Sequence, residues 1–223
     1  MGLKDLNKKI EIKNEKNIKI LILVIIINHL LLYLYDITDR FVHMWPWPYN
    51  FAVAGMTIVT TLPVLIAYFK FGLYKETVRF KNWKQYVIGI VLTLPVWLLS
   101  LPSYTDVFAD FSDYARYDGD LVWYFFYYFI FVALVEEFIY RVYIQGELTV
   151  LLGKAKWLAP FLAALVFSFA HTVQGTGEQV IFTFFMGLVL GYAKYFIKDC
   201  TLISVVIAHG LYDYLLAVGG WIF

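Results

Sequence analysis

Residues 121–144 read LVWYFFYYFIFVALVEEFIYRVYI. An unbroken apolar run comes first, and two adjacent glutamates and an arginine follow inside the same stretch. Such a segment predicts a helix crossing the membrane, since about 20 apolar residues span about 30 Å of hydrocarbon. Working outward, six more apolar blocks occupy residues 18–35, 51–71, 86–101, 157–173, 180–197 and 202–221. Two of the seven are short or contain proline, so the count is read as six to eight. The chain is 61% hydrophobic and 20% aromatic, with mean hydropathy +0.70; soluble domains hold nearer 45–50% apolar residues. The fold class expected is therefore all-α: a polytopic transmembrane bundle of about seven helices.

Charge placement gives a second, independent reading. With the N-terminus cytoplasmic, 16 of the 18 basic residues fall in inside segments, and only Arg40 and Arg116 fall outside. The outside loops carry Asp36, Asp39, Asp106, Asp110, Asp113, Asp118, Asp120 and Glu178. This is the positive-inside pattern for seven spans with the C-terminus outside. Trp45, Trp47, Trp123, Trp157 and Trp221 fall near interfaces, whereas Trp97 lies mid-span. Residues 1–17 read as a cytoplasmic amphipathic N-terminal segment, and 18–223 as a single transmembrane domain. The first apolar run is followed by Asp36 and Asp39 rather than a small-residue cleavage site, so no cleavable signal is expected. Abundant Lys, Ile, Tyr and Asn suit a bacterial plasma membrane. A net charge of +1 offers no basic surface for nucleic acid, and the single cysteine, Cys200, excludes an internal disulfide.

One polar interruption, residues 103–120, is expected to form an outer loop. Pro63 and Pro95 are expected inside helices, where membrane proteins tolerate them. Gly187 and Gly191 form a GxxxG pair whose default use is packing within the chain and whose alternative is a homodimer face.

Ionisable groups inside hydrocarbon cost roughly 2.5–3.5 kcal/mol each on the insertion scale, so they are paired or functional. The first two spans hold only His29, read as a hydrogen-bonding residue, and the third holds none. The last four hold Glu136, Glu137 and Arg141, then His171, then Lys194 near a cytoplasmic end, then His209 and Asp213. Glu137 and Arg141 are i,i+4 neighbours in the orientation favoured for an ion pair. Glu136 is turned about 100° away. On one reading it is the acid–base group and Glu137 is structural; on the other, both glutamates share Arg141 at the cytoplasmic interface. Asp213 lies one turn beyond His209 and can fix its tautomer.

These motifs, Glu136-Glu137-x-x-x-Arg141, Phe167-x-x-x-His171 and His209-x-x-x-Asp213, resemble those of the CAAX-protease and bacteriocin-processing (CPBP, or Abi) membrane proteases. The resemblance covers about residues 131–214 and extends to Gly187 and Gly191. It implies an intramembrane endopeptidase acting on a peptide or membrane-associated substrate. Glu136 and His171 would activate water, His209 with position 213 would stabilise the oxyanion, and Glu137 and Arg141 would hold the motif helix. Two positions depart from the family pattern. Asp213 stands where Asn is frequent, and an ionised Asp cannot donate to an oxyanion. Val142 stands where many relatives have Gly. The resemblance implies no cofactor; zinc on Glu136, His171 and His209 is the alternative donor set. The competing functions are a non-catalytic bacteriocin-immunity or membrane interaction protein, and a small proton-coupled transporter. Against the transporter, the two halves show no internal repeat. Straight helices over the stated spans would place Glu136 deep and His171 near the outer surface, which calls for tilt, a break near Arg141, or a fifth helix that starts deeper.

Overall fold

The computed structural model describes residues 3–42, 49–77, 80–100, 121–172 and 176–219. The expected loop at 103–120, with Arg116 and its aspartates, lies outside the described residues, as do Trp45, Trp47 and Trp221. Every apolar block of the sequence is helical. We number the helices α1 (Leu3–Val42), α2 (Tyr49–Phe71), α3 (Lys84–Ser100), α4 (Leu121–Leu151), α5 (Ala159–Ala170), α6 (Gly177–Phe196) and α7 (Leu202–Gly219). No strand occurs among the described residues. In α1, 14–34, in α4 and in α6 the chain is long and apolar enough to cross a membrane; α2, α3 and α7 contribute shorter apolar stretches. The helices run on through Pro63 and Pro95.

The first helix runs over Leu3–Val42, well beyond the expected 18–35, and two further boundary differences matter for the site. The fourth helix does not stop at residue 144. It continues to Leu151, and it is wound as π-helix over Tyr127–Ala133 and again over Phe138–Ile144. Residues 145–151 (QGELTVL) look too polar for a span, but three of their side chains bond within the protein: Gln145 Nε2 donates to the Gly191 carbonyl at 3.0 Å, Thr149 donates to the Gln145 carbonyl at 2.7 Å, and Glu147 accepts from the Tyr74 N–H at 2.9 Å. The fifth helix is shorter than expected. A 3₁₀ turn occupies Gly153–Leu158, and α5 proper has 12 residues.

These two shifts remove the depth conflict. Measured from the α4–α5 junction, Glu136 lies 15 residues before Leu151, about 22 Å along the helix. His171 directly follows α5, about 18 Å from its start. A short fifth helix and a long fourth one therefore bring the two side chains to similar height.

The remaining packing sets the frame. Gly187 and Gly191 face inward, to α5 and α4. A Cβ on Gly187 would stand 3.0 Å from the Ala164 Cβ, and one on Gly191 3.0 Å from Gln145 Oε1. Missing side chains here let α6 approach closely, as small residues do between membrane helices. Helix α7 is fastened to α3 by Thr201 donating to Gln85 Oε1 at 2.6 Å and Ser204 donating to the Gln85 carbonyl at 2.9 Å. Trp97 packs half-buried against the core rather than at an interface. At one end of the bundle, Asn17 donates to the Phe71 carbonyl at 3.4 Å and Asn82 donates to Asp199 at 2.9 Å. Residues near 17, 71–84 and 194–201, all read as inside, thus share one end.

Candidate active site

Three helices carry the candidate residues. Glu136, Glu137 and Arg141 come from α4, His171 from the end of α5, and His209 and Asp213 from α7. Around Glu137 the helix passes from α to π winding, which places a whole turn, Ile139–Ile144, in the protein interior. Single π turns inside α-helices are frequent at functional sites.

Glu137 is the hub. Its side chain and that of Arg141 are 0% exposed, with Arg141 Nε 3.1 Å from Glu137 Oε2. Its other oxygen, Oε1, lies 2.9 Å from His209 Nδ1. The expected Glu137–Arg141 pair is therefore present, and the same carboxylate also orients the histidine of the third motif. His209 Nε2 lies 3.2 Å from Asp213 Oδ2 and 3.8 Å from Glu136 Oε2. Asp213 thus does approach His209, but on the opposite nitrogen from Glu137. With carboxylates facing both nitrogens, both can receive an N–H only from the doubly protonated ring.

The two glutamates differ in access. Glu136 is 27% exposed and Glu137 is wholly buried. Glu136 lies within electrostatic reach of His171, His209, Asp213 and Glu137. In α5 the His171 Nδ1 hydrogen donates to the Phe167 carbonyl at 3.0 Å. That bond fixes the tautomer of the neutral ring and leaves Nε2 with a free lone pair.

Phe167 does more than mark the second motif. Its ring is 1% exposed. It lies edge-on to His171 at 4.7 Å and to His209 at 6.3 Å between centroids. The Arg141 guanidinium carbon sits 4.6 Å over the same ring. One aromatic side chain therefore packs two candidate histidines and shields a buried cation, an interaction that strengthens when the cation is desolvated. Sequence spacing placed Phe167 near His171 but held no sign of the contacts to Arg141 and His209, which come from other helices.

The zinc alternative uses Glu136, His171 and His209. Among the described residues no three His, Cys, Asp or Glu side chains are grouped as a metal ion requires. Three of the four nitrogens of His171 and His209 already face protein oxygens.

Residues 118–215 match the family model described as type II CAAX prenyl endopeptidase Rce1-like. Over these residues, a little under half of the chain, the sequence is similar to the CAAX-protease family. The matched stretch contains all seven named motif residues and starts before the 131–214 expected from the motifs. No curated protein and no solved structure matches the chain.

His29, outside the matched stretch, is half-buried. Its Nδ1 lies 2.8 Å from the Ile25 carbonyl and its Nε2 3.3 Å from the Val166 carbonyl. This is a hydrogen-bonding role, tying α1 to α5 one residue before Phe167.

Proposed function

We propose that this protein is a multi-pass intramembrane endopeptidase that hydrolyses peptide bonds with a glutamate-activated water. The observation that carries the reading is the convergence of Glu136, Glu137 and Asp213 on His209, from helices joined only by their packing. The family match adds the reaction class and makes a prenylated CAAX-type tail the first substrate to try.

In this mechanism Glu136 is the general base, since of the two glutamates it is the one with a partly exposed side chain, whereas Glu137 is committed to Arg141 and His209. It removes a proton as the water oxygen attacks the scissile carbonyl. His171, with Nδ1 committed to Phe167, offers Nε2 to the same water. Glu137 holds the His209 ring through Nδ1, and Nε2–H, shared with Asp213 at 3.2 Å in the resting site, is the donor available to the forming oxyanion, where a pre-aligned donor in a dry site has most effect. Asp213 keeps the ring oriented from the Nε2 side, and the proton that Glu136 takes from water is returned by Glu136 to the leaving amine as the C–N bond breaks. An ionised Asp213 next to an oxyanion would be repulsive, so its useful contact is with His209. No step needs a metal; zinc on Glu136, His171 and His209 is the alternative that chelation tests. We place the N-terminus inside and the C-terminus outside a bacterial plasma membrane, from the distribution of basic residues and their meeting at one end of the bundle.

The test uses purified protein in lipid nanodiscs with a fluorogenic farnesylated peptide ending in a CAAX sequence, and its unprenylated twin. Wild type should cleave the first, and Glu136→Gln should lower kcat by at least about 10²-fold, as expected for loss of general-base catalysis. Cleavage that survives Glu136→Gln, or a wild type that binds either peptide without cutting it, would refute the proposal. The latter outcome would favour an interaction or immunity protein.

A further inference from the structure

Residues 72–76, between α2 and α3, lie outside the family match, yet they make contacts with α4, α6 and α7. Glu147 of α4 accepts the Tyr74 backbone N–H at 2.9 Å. The Tyr74 ring lies flat on the same helix at Gly146, where a Cβ would come within 2.3 Å of the ring. Tyr74 donates its hydroxyl to Glu76 Oε2 at 2.6 Å, and Lys194 of α6 reaches that oxygen at 2.7 Å. Glu76 Oε1 accepts the Leu202 N–H, at the first residue of α7, at 3.2 Å. The Glu76 and Lys194 side chains are each 8% exposed. Burial, and then the Glu76 carboxylate, push the Tyr74 phenol above its usual range, so its O–H remains a donor.

We propose that Glu76, with Tyr74, is a positioning residue for the active site: a strap that locks α4, α6 and α7 in register at the inner end. This rests on the endopeptidase reading. Surface acids in a connecting loop gain little from one ion pair. Glu76 instead has three partners from three segments while almost excluded from solvent, which is how a fixed joint is built. Leu202 and His209 belong to the same helix, seven residues apart, about 10 Å. Glu147 and Glu137 share α4, ten residues apart, with the π-wound Phe138–Ile144 between them. A slide of α7 along α4 at the strap is therefore carried rigidly to the 2.9 Å His209–Glu137 contact. Hydrogen bonds weaken steeply once the heavy atoms part beyond about 3.2 Å, so a few tenths of an ångström suffices.

The full chain in nanodiscs, with the farnesylated peptide as probe, tests this with Glu76→Ala and the milder Tyr74→Phe, which removes only the hydroxyl. The expected result is a kcat lowered about tenfold or more with KM little changed, since misplacement by 1 Å can cost about 10²-fold. Glu76→Gln, which can still accept the Leu202 N–H, should recover part of the loss. The ¹⁵N signal of His209 Nδ1, assigned by substitution and recorded without substrate, should move in both Glu76→Ala and Tyr74→Phe. The exposed Lys19→Ala should leave it in place. An unmoved His209 signal in folded Tyr74→Phe, or a loss confined to KM, overturns the proposal. A wild type that cleaves nothing would sink the endopeptidase reading, while the His209 signal would still decide whether the strap sets the register.

Discussion

Replacing Glu137 separates the buried framework from the chemistry. Its carboxylate contacts Arg141 at 3.1 Å and His209 at 2.9 Å from a site with no exposure. Arg141 Nη1 and Nη2 have no other hydrogen-bond partner among the described residues. Glu137→Ala thus leaves a guanidinium in the interior with only the Phe167 ring beside it. Removing one partner of a buried pair costs about 3–5 kcal/mol, because the other charge is stranded. For a chain of this size that corresponds to a lowering of the apparent melting temperature by about 6–20 °C. Glu137→Gln keeps the volume and one acceptor, so its loss should be nearer 1.5–3 kcal/mol, that of a hydrogen bond to a charged group. Glu136→Gln, at a half-open position without an arginine, should shift stability by less than about 1 kcal/mol. The decisive variant is Glu137→Leu with Arg141→Met. Replacing a buried pair with apolar residues of similar volume is often neutral. The double variant should therefore regain most of the stability lost in Glu137→Ala, yet remain inactive because His209 has lost its Nδ1 partner. Thermal unfolding in nanodiscs, followed by tryptophan fluorescence, reads the stability, and peptide cleavage reads the function. Equal destabilisation by Glu136→Gln and Glu137→Gln, or an active double variant, would refute the division of labour between the two glutamates.

Three further outcomes follow from the packing and the groups near the membrane surface. Gly187→Val should destabilise by about 1–3 kcal/mol through overpacking against Ala164 and Phe167; a stability equal to wild type in thermal unfolding would show that α5 and α6 are not in close contact there. Burial pushes the Cys200 thiol up to about 11, which favours the neutral thiol below that pH, so maleimide labelling of folded protein should be slow at pH 7 and rise about tenfold per pH unit. Fast labelling at pH 7 without denaturant would contradict the buried placement. Dialysis against a chelator should leave peptide cleavage within about twofold of the starting rate, as a metal-free acid–base mechanism requires; loss of activity restored by zinc would move Glu136, His171 and His209 into the role of ligands.

The seven described helices could be read in the sequence because each lies on an apolar block, three of them long enough to cross a membrane. The pairing of Glu137 with Arg141 was equally local, fixed by a spacing of four along one helix. The π winding at 138–144 was not local, and neither was the run of α4 to Leu151. Gln145 and Glu147 look like the start of a loop until Gly191 and Tyr74, distant in the chain, supply their partners. The sequence reading assigned His209 to Asp213 alone, since those two share a helix face. The contact from Glu137 crosses 72 positions of chain and depends on how α4 and α7 pack. Lys194 illustrates the same limit. Taken alone it is a cation free to reach the membrane surface, but in the fold it is buried against Glu76.

The most direct test of the central claim compares new protein N-termini in membranes of cells carrying wild type and Glu136→Gln at equal abundance. The account predicts a set of termini present with wild type and missing with Glu136→Gln, lying in or beside membrane-associated segments. Two indistinguishable sets, with both proteins folded and abundant, would contradict it.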